Sequence, residues 1–233
     1  MTDIKYPISE IFESIQGEGN YAGVNSLFIR FQLCNLTCSW CDTKYSWKKN
    51  SGEQEYDIEK LKGLIRDARQ HHVIFTGGEP SLYRLDLLAD RVRKFHVESN
   101  GTIIPDRPLK LILPDGSTVE RAGMKENIIE QFNWVISPKL SNSGQQMNSE
   151  GMRYWSDKSW AVFKFIIQNV NDLDEIEKYV NLYHIHINRI FAGIEGSTAE
   201  SQMKPELVDA IIQRGFNYSP RLHIMLWGSE RGR

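Results

Sequence analysis

Cysteine is scarce in this chain of 233 residues, with only three, all in the run Cys34-Asn-Leu-Thr-Cys38-Ser-Trp-Cys41. An odd number in one short stretch excludes a disulfide framework, which spreads paired cysteines through a small secreted fold. Long apolar runs are missing as well, since nothing approaches the roughly 18 consecutive apolar residues of a membrane span. Residues 1–6 are polar and do not resemble a secretory leader, so a reducing cytoplasm is the expected compartment. Positive charge is not in excess: 28 Lys and Arg against 30 Asp and Glu leave a net charge of −2. That balance gives no electrostatic footprint for nucleic acid, and a small-molecule or protein partner is expected. No internal repeat, low-complexity tract or Ser-His-Asp constellation is visible. The length suffices for one domain with a sizeable core.

What is present is a strand-then-helix alternation. The β-rich run 26–33 leads directly into the cysteines. Asp57 is placed to cap a helix through about Gln70, with Ile58, Leu61, Leu64 and Ile65 at helical spacing. A short strand over 73–76 ends in Gly77-Gly78-Glu79-Pro80. A helix is predicted over 84–94, further strands over 95–99, 134–137, 161–167, 185–191 and 222–226, and helices over 172–182 and 205–214. The charge-dense stretch 54–60 reads as a solvated loop and helix start. Such alternation implies parallel pairing with helical crossovers, and six or seven strands imply an incomplete parallel β/α barrel. The loops after the strands then converge on one face: the cysteine loop, Gly77 to Pro80, Glu98-Ser99-Asn100-Gly101 and Ser137-Pro138-Lys139. Residues 105–131 break the pattern and read as a peripheral hairpin insertion turning at Pro114-Asp115-Gly116.

Three thiolates favour iron–sulfur binding, with one iron left open to an exogenous chelator. The competing reading is a structural zinc, which needs four protein ligands. It would have to recruit His71 or His72, about thirty positions further along in a separate element.

A Cys-x3-Cys-x2-Cys loop after a strand, with Trp40 before the last cysteine and Gly77-Gly78-Glu79-Pro80 ending the next strand, resembles the radical S-adenosylmethionine (SAM) superfamily. The resemblance narrows to the 7-carboxy-7-deazaguanine synthase family through Ile15-Gln16-Gly17-Glu18-Gly19, Phe28-Ile29-Arg30, Cys34-Asn35-Leu36 and Trp40-Cys41-Asp42-Thr43-Lys44-Tyr45. The later Thr76 to Pro80, Glu98 to Thr102 and Ser137 to Lys139 keep that family's order. The likeness covers nearly the whole chain and is weakest beyond about residue 185.

The resemblance implies a single radical SAM domain over 1–233. It implies a [4Fe-4S] cluster on Cys34, Cys38 and Cys41, with SAM on the open iron. SAM contacts carry over to Trp40, Cys41, Asp42, Gly78, Glu79, Ser99, Ser137, Pro138, Lys139, Ile194, Glu195 and Gly196, and Mg²⁺ to Thr43. The implied substrate is 6-carboxy-5,6,7,8-tetrahydropterin, met by Ile15, Gln16, Gly17, Glu18, Arg30 and Thr76. A guanidinium at Arg30 suits bidentate capture of its carboxylate. One-electron reduction by flavodoxin or ferredoxin would cleave SAM to a 5′-deoxyadenosyl radical, which takes hydrogen from C6 before the ring contracts with loss of ammonia. No protein side chain is then a catalytic residue, because the cofactors carry the reactivity. A homodimer is also implied. Two departures stand out: Ile194 replaces a proline common among relatives, and the end of the chain, His223 to Gly228, lacks their Gln-x-His-Lys pattern. Two other classes share single features: an activase that makes a glycyl radical on a partner enzyme, and an iron–sulfur electron carrier. The first does not need Ile15 to Gly19 with Arg30, and the second would close its cluster with four protein ligands and has no use for Gly77 to Pro80.

Overall fold

The computed structural model describes residues 4–49 and 51–233, so the polar stretch 1–6 is seen from Ile4 onward. Eleven strands and seven α-helices alternate along it. Strands β1 (Lys5–Ile15), β2 (Asn25–Phe31) and β3 (Gln54–Asp57) are followed by helix α1 (Ile58–Asp67), β4 (His72–Gly77) and β5 (Lys94–Ser99). The hairpin β6 (Leu109–Ile112) and β7 (Thr118–Arg121) comes next, then α2 (Glu126–Ile129), β8 (Asn133–Ile136), α3 (Ser149–Ser156) and β9 (Val162–Ile167). The chain continues through α4 (Val170–Leu182), β10 (Ile190–Ile194), α5 (Ala199–Gln202), α6 (Pro205–Gln213), β11 (Asn217–Tyr218) and α7 (Leu222–Trp227).

Nine strands form one sheet in the order β3-β1-β2-β4-β5-β8-β9-β10-β11. From β2 to β11 every neighbour is parallel, while β1 and β3 add an antiparallel edge. This is the expected incomplete barrel. The period-two alternation of strands sorts side chains between its two faces. Ile29, Phe31, Phe75, Val97, Phe163 and Phe165 go into the apolar core. Phe28, Arg30, Thr76, Glu98, Lys164 and Ile166 face a cavity inside the curve of the sheet.

The capping expectation at Asp57 holds, since its carboxylate accepts Lys60 N–H at 2.8 Å. Leu61 and Ile65 bury the inner face of α1, whereas Leu64 is exposed. The hairpin forms as expected, with Gly116 at φ +82° in its turn. It lies outside the main sheet but is rooted by buried Arg121, whose guanidinium donates to the carbonyls of Ser81, Pro105 and Arg107.

Four expectations are corrected. Residues 84–94 are not a helix but a 3₁₀ turn, Leu85–Leu87, followed by loop. There Asp90 Oδ1 takes the N–H groups of Val92 and Arg93 at 2.8 and 2.7 Å, a local alternative to helical bonding. The strand expected over 185–191 starts only at Ile190, because His186 caps a 3₁₀ turn at Ile187–Arg189. Residues 222–226 are helical, as a short apolar run has no period that separates the two states. The 54–57 part of the supposed solvated loop is edge strand β3, paired to β1.

Chain segments bridge the gap between the two ends of the open barrel. The loop after β1 reaches β11's end, where Gly19 N–H donates to Ser219 Oγ at 2.8 Å and Gly17 O accepts Leu222 N–H at 3.0 Å. Helix α7 sits on this junction. A Cβ on Gly17 would lie 2.1 Å from His223 Nδ1, so any side chain there would displace the imidazole. Further on, Arg231 Nε reaches Glu10 Oε2 on β1 at 3.0 Å. The cavity thereby acquires a floor and a side wall that the sheet alone lacks.

Candidate active site

The cysteine loop leaves β2 through Leu33, a non-glycine residue in the left-handed region (φ 73°), a conformation costing roughly 1–2 kcal/mol. The turn aims Leu33 O at Glu79 N–H (2.8 Å), while Phe31 O takes Gly78 N–H (3.0 Å). The ends of β2 and β4 cross so closely that a Cβ on Gly78 would fall 1.9 Å from Leu33 O, and one on Gly77 2.2 Å from Phe31 O. The Gly-Gly pair therefore has a structural cause before any ligand is considered.

Glu79 is wholly buried. Its carboxylate accepts Ser81 N–H, Ser99 Oγ–H and Asn100 N–H, each at 2.8 Å. Asn100 Nδ2 donates to Asn35 Oδ1 at 2.9 Å, and Asn35 Nδ2 to Thr102 Oγ1 at 2.7 Å. One polar network thus locks the loop after β4, the loop after β5 and the cysteine loop together. Burial raises the Glu79 pKa above the usual carboxylate range.

Cys34 and Cys38 are buried and Cys41 is half-buried, and all three line the cavity of about 230 Å³. Burial pushes the Cys34 thiol up to about 12 and moves Cys38 the same way. Thiolates there require a cationic partner. Trp40 Nε1 donates to Asn142 Oδ1 at 3.0 Å, Lys139 Nζ stands 5.2 Å from the Trp40 ring, and Lys139 Nζ donates to Ser137 Oγ at 3.0 Å. Thr43 Oγ1 lies 3.6 Å from Cys41 Sγ.

The floor is built from charges. Lys164 Nζ lies 2.6 Å from Glu18 Oε2 and 2.7 Å from Glu98 Oε2. Arg221 contacts Glu18 Oε1 at 2.7 Å and Asp42 Oδ2 at 2.5 Å. Gln16 Nε2 donates to Glu98 Oε1 at 2.8 Å. Burial opposes ionisation of Glu18, but Lys164 and Arg221 outweigh it and bring its pKa well below the ordinary range. For Glu98 burial dominates, Lys164 offsets it only in part, and the pKa sits above that range. Above this floor Arg30 is tied by Nε to Glu10 Oε1 at 2.6 Å, and Tyr45 OH donates to the same oxygen at 2.6 Å. Among the described residues the side-chain bonding of Arg30 runs through Nε. Its guanidinium carbon stands 5.7 Å from the Phe12 ring centroid, and the residue lines the cavity wall.

Of the residues singled out from sequence, Ile15, Gln16, Gly17, Glu18, Arg30, Thr76, Trp40, Asp42, Thr43, Gly78, Ser99, Ser137, Lys139 and Glu195 line this one cavity with the cysteines. Four do not. The Glu79 side chain braces the rim from behind, and the Ile194 side chain is fully buried in the core. Pro138 borders a small adjoining recess. Gly196 (φ +148°) offers its carbonyl to Arg221 Nη1 at 2.7 Å. Conversely, Glu98, Lys164, Arg221 and His223 line the cavity without having been singled out as site residues. Lys164 carried a signal: it is the lone charge in the apolar strand Phe163-Lys164-Phe165-Ile166-Ile167, and a buried lysine requires a partner. Arg221 carried none.

The zinc alternative loses its fourth ligand. His72 bonds through Nδ1 to His96 Nε2 at 2.7 Å, and it starts β4, at the opposite end of the strands from the cysteine loop. Among the described residues no three His, Cys, Asp or Glu side chains converge as a single-ion site. Three soft thiols on one loop, with no fourth cysteine in the chain, fit a cluster that keeps one position for an outside ligand.

Comparison with known proteins agrees. A model of the Radical SAM superfamily matches residues 28–120. The chain is 32% identical to a 7-carboxy-7-deazaguanine synthase of Pyrobaculum aerophilum, covering 97% of this chain and 96% of that one. It is 30% identical to the Thermoplasma acidophilum protein of the same name, over 97% and 99% of the two chains. The crystal structure of QueE from Escherichia coli superimposes with a TM-score of 0.69 over 94% of this chain and 95% of that chain; at 23% identity, that likeness speaks for the fold. The chain belongs to the 7-carboxy-7-deazaguanine synthase family of the radical SAM superfamily.

Proposed function

We propose that this protein converts 6-carboxy-5,6,7,8-tetrahydropterin to 7-carboxy-7-deazaguanine with loss of ammonia, a step in 7-deazapurine biosynthesis. The observation that carries the reading is one cavity holding three cysteines at its rim, Arg30 on its wall and the Glu18–Lys164–Glu98 bridge in its floor. Cys34, Cys38 and Cys41 hold the [4Fe-4S] cluster, and the cluster with SAM supplies the one-electron chemistry. Trp40, Asp42, Gly78, Ser99, Ser137, Lys139 and Glu195, which line the cavity beside the cysteines, would hold SAM.

The chain's own residues bind and orient. Arg30 receives the substrate carboxylate, and Glu10 and Tyr45 keep the guanidinium from swinging away. Each oxygen of Glu18 and Glu98 already accepts one cation or amide and retains a lone pair. Together they form an acceptor edge for the N–H groups of a pterin ring. Lys164 fixes their spacing. Gln16, Thr76 and the backbone of Ile15 and Gly17 complete the enclosure. Thr43 would offer its hydroxyl to a Mg²⁺ ion, which would supply positive charge to substrate oxygens. A flavodoxin or ferredoxin is the electron donor, and the protein works in the cytoplasm as a homodimer.

The test is anaerobic turnover of reconstituted protein with dithionite, SAM and 6-carboxytetrahydropterin, read by product mass. Formation of 7-carboxy-7-deazaguanine is expected. SAM cleavage without that product would sink the substrate assignment and leave the superfamily standing. Arg30→Ala is expected to weaken substrate binding roughly ten- to hundredfold, the scale of a charged hydrogen-bond pair, with iron content unchanged. Unaltered affinity would remove Arg30 from the site.

A further inference from the structure

Trp47 is tied to both ends of the cysteine loop. Its carbonyl accepts Cys34 N–H at 3.2 Å, and its indole Nε1–H donates to Cys41 Sγ at 3.2 Å. The backbone on either side of it is pinned by buried Gln32, whose Nε2 donates to Tyr45 O at 2.9 Å and Lys48 O at 2.5 Å. Just before it, Ser46 N–H and Oγ–H both close on Thr43 O at 2.8 Å. The backbone from which the indole projects is therefore fixed at both ends of the cysteine loop. Lys44 Nζ stands 5.7 Å from the Trp47 ring centroid, a cation that strengthens the ring N–H as a donor. The three sulfurs are not treated alike. Cys34 Sγ accepts from the backbone N–H of Leu36 at a longer 3.4 Å, whereas the half-buried Cys41 takes a side-chain donor.

We propose that the Trp47 indole N–H tunes the iron–sulfur cluster by donating to the Cys41 thiolate, raising the reduction potential of the cluster. The physical reason is charge. Electron density on the ligating sulfurs rises when a cluster is reduced, so a donor aimed at one of them stabilises the reduced state more than the oxidised one. Trp47 acts through Cys41 and is a positioning residue. The inference rests on the cysteines being cluster ligands and is independent of the substrate assigned above.

The test is a redox titration of anaerobically reconstituted protein, followed by EPR, comparing wild type with Trp47→Phe. That change keeps the ring packing and removes the N–H. At a fixed solution potential the ratio of reduced to oxidised cluster is expected to fall about three- to tenfold, which is about 30 to 60 mV for a one-electron couple. Iron and sulfide per chain should be unchanged. An unchanged potential at full iron content overturns the proposal. Should the variant fail to hold its cluster, wild-type protein carrying ¹⁵N-indole tryptophan decides. Pulsed EPR of its reduced cluster is expected to show a single ¹⁵N coupling that persists in Trp40→Phe. Absence of that coupling overturns the proposal equally.

Discussion

Around the cysteines the cavity wall is made of backbone, and at the floor it is made of ionised side chains. At the rim, Phe31 O, Leu33 O and the N–H groups of Gly78 and Glu79 interlock, and the side chains of Glu79, Asn35 and Asn100 brace them from behind. At the floor, Glu18 comes from the loop after β1, Glu98 from β5, Lys164 from β9 and Arg221 from the approach to α7. The rim is fixed by close approach, which leaves few degrees of freedom to lose when a ligand arrives. The floor is fixed by charge balance among residues far apart in the chain, and that balance can be altered one side chain at a time. The rim suits a group whose geometry never varies; the floor suits recognition of a particular substrate edge.

The largest expected effect lies at the rim. Gly78→Ala places a methyl 1.9 Å from a backbone carbonyl that has no room to retreat. It should destabilise the fold by about 3 kcal/mol or more and abolish iron loading, measured by denaturant unfolding and iron per chain. Full iron content in this variant would break the claim that the crossing is rigid. Lys164→Met comes next. It leaves Glu18 and Glu98 facing each other, at a cost of about 3 kcal/mol for a broken buried pair, and should abolish measurable substrate binding while iron loading survives. Were iron content to fall in step with binding, rim and floor would be one unit rather than two.

The smallest effect concerns the underside of the floor. Tyr21, from the loop that carries Glu18, packs edge-on against His96 at 4.4 Å, and burial holds the His96 pKa down at about 3. The unfolded chain takes up that proton near pH 6.5 and the native state does not. Stability from this group is therefore complete above about pH 6.5 and falls as pH drops toward 3. Between pH 7 and 5 the loss should be about 2 kcal/mol. His96→Phe should lessen the fall of the melting temperature over that window, leaving the rest of it to His72 and His223, whose pKa values burial also lowers, and the decline below pH 4.5 to depressed carboxylates such as Glu18 and Glu10. An unchanged slope between pH 7 and 5 would show that the floor does not depend on a neutral His96.

The rim was legible in the sequence and the floor only in part, for a physical reason. Cys34 to Cys41 and Gly77 to Pro80 are contiguous, because a loop that crosses another backbone must spell its glycines and ligands in local order. Gln16, Glu18 and Arg30 could be read for the same reason, lying in short runs near one another. Lys164 and Arg221 have no such neighbours, and Glu98 was visible only as part of a loop. The misread elements follow the same division. Leu222 to Leu226 has the composition of a buried strand, but Gly17 O and the open barrel edge receive it as a helix start. Helix 84–94 was lost where the Asp90 side chain satisfied the backbone locally.

The sequence by itself determined the parallel barrel, the three thiols without a fourth and the glycine crossing, since each is a matter of local residue type and spacing. Only the tertiary structure decided that Lys164 would join two carboxylates from distant segments, that Arg30 would be held by Glu10, and that Trp47 would reach back to Cys41. Those contacts depend on which elements the fold brings within about 3 Å of each other, the range of a hydrogen bond, and no spacing along the chain encodes that distance.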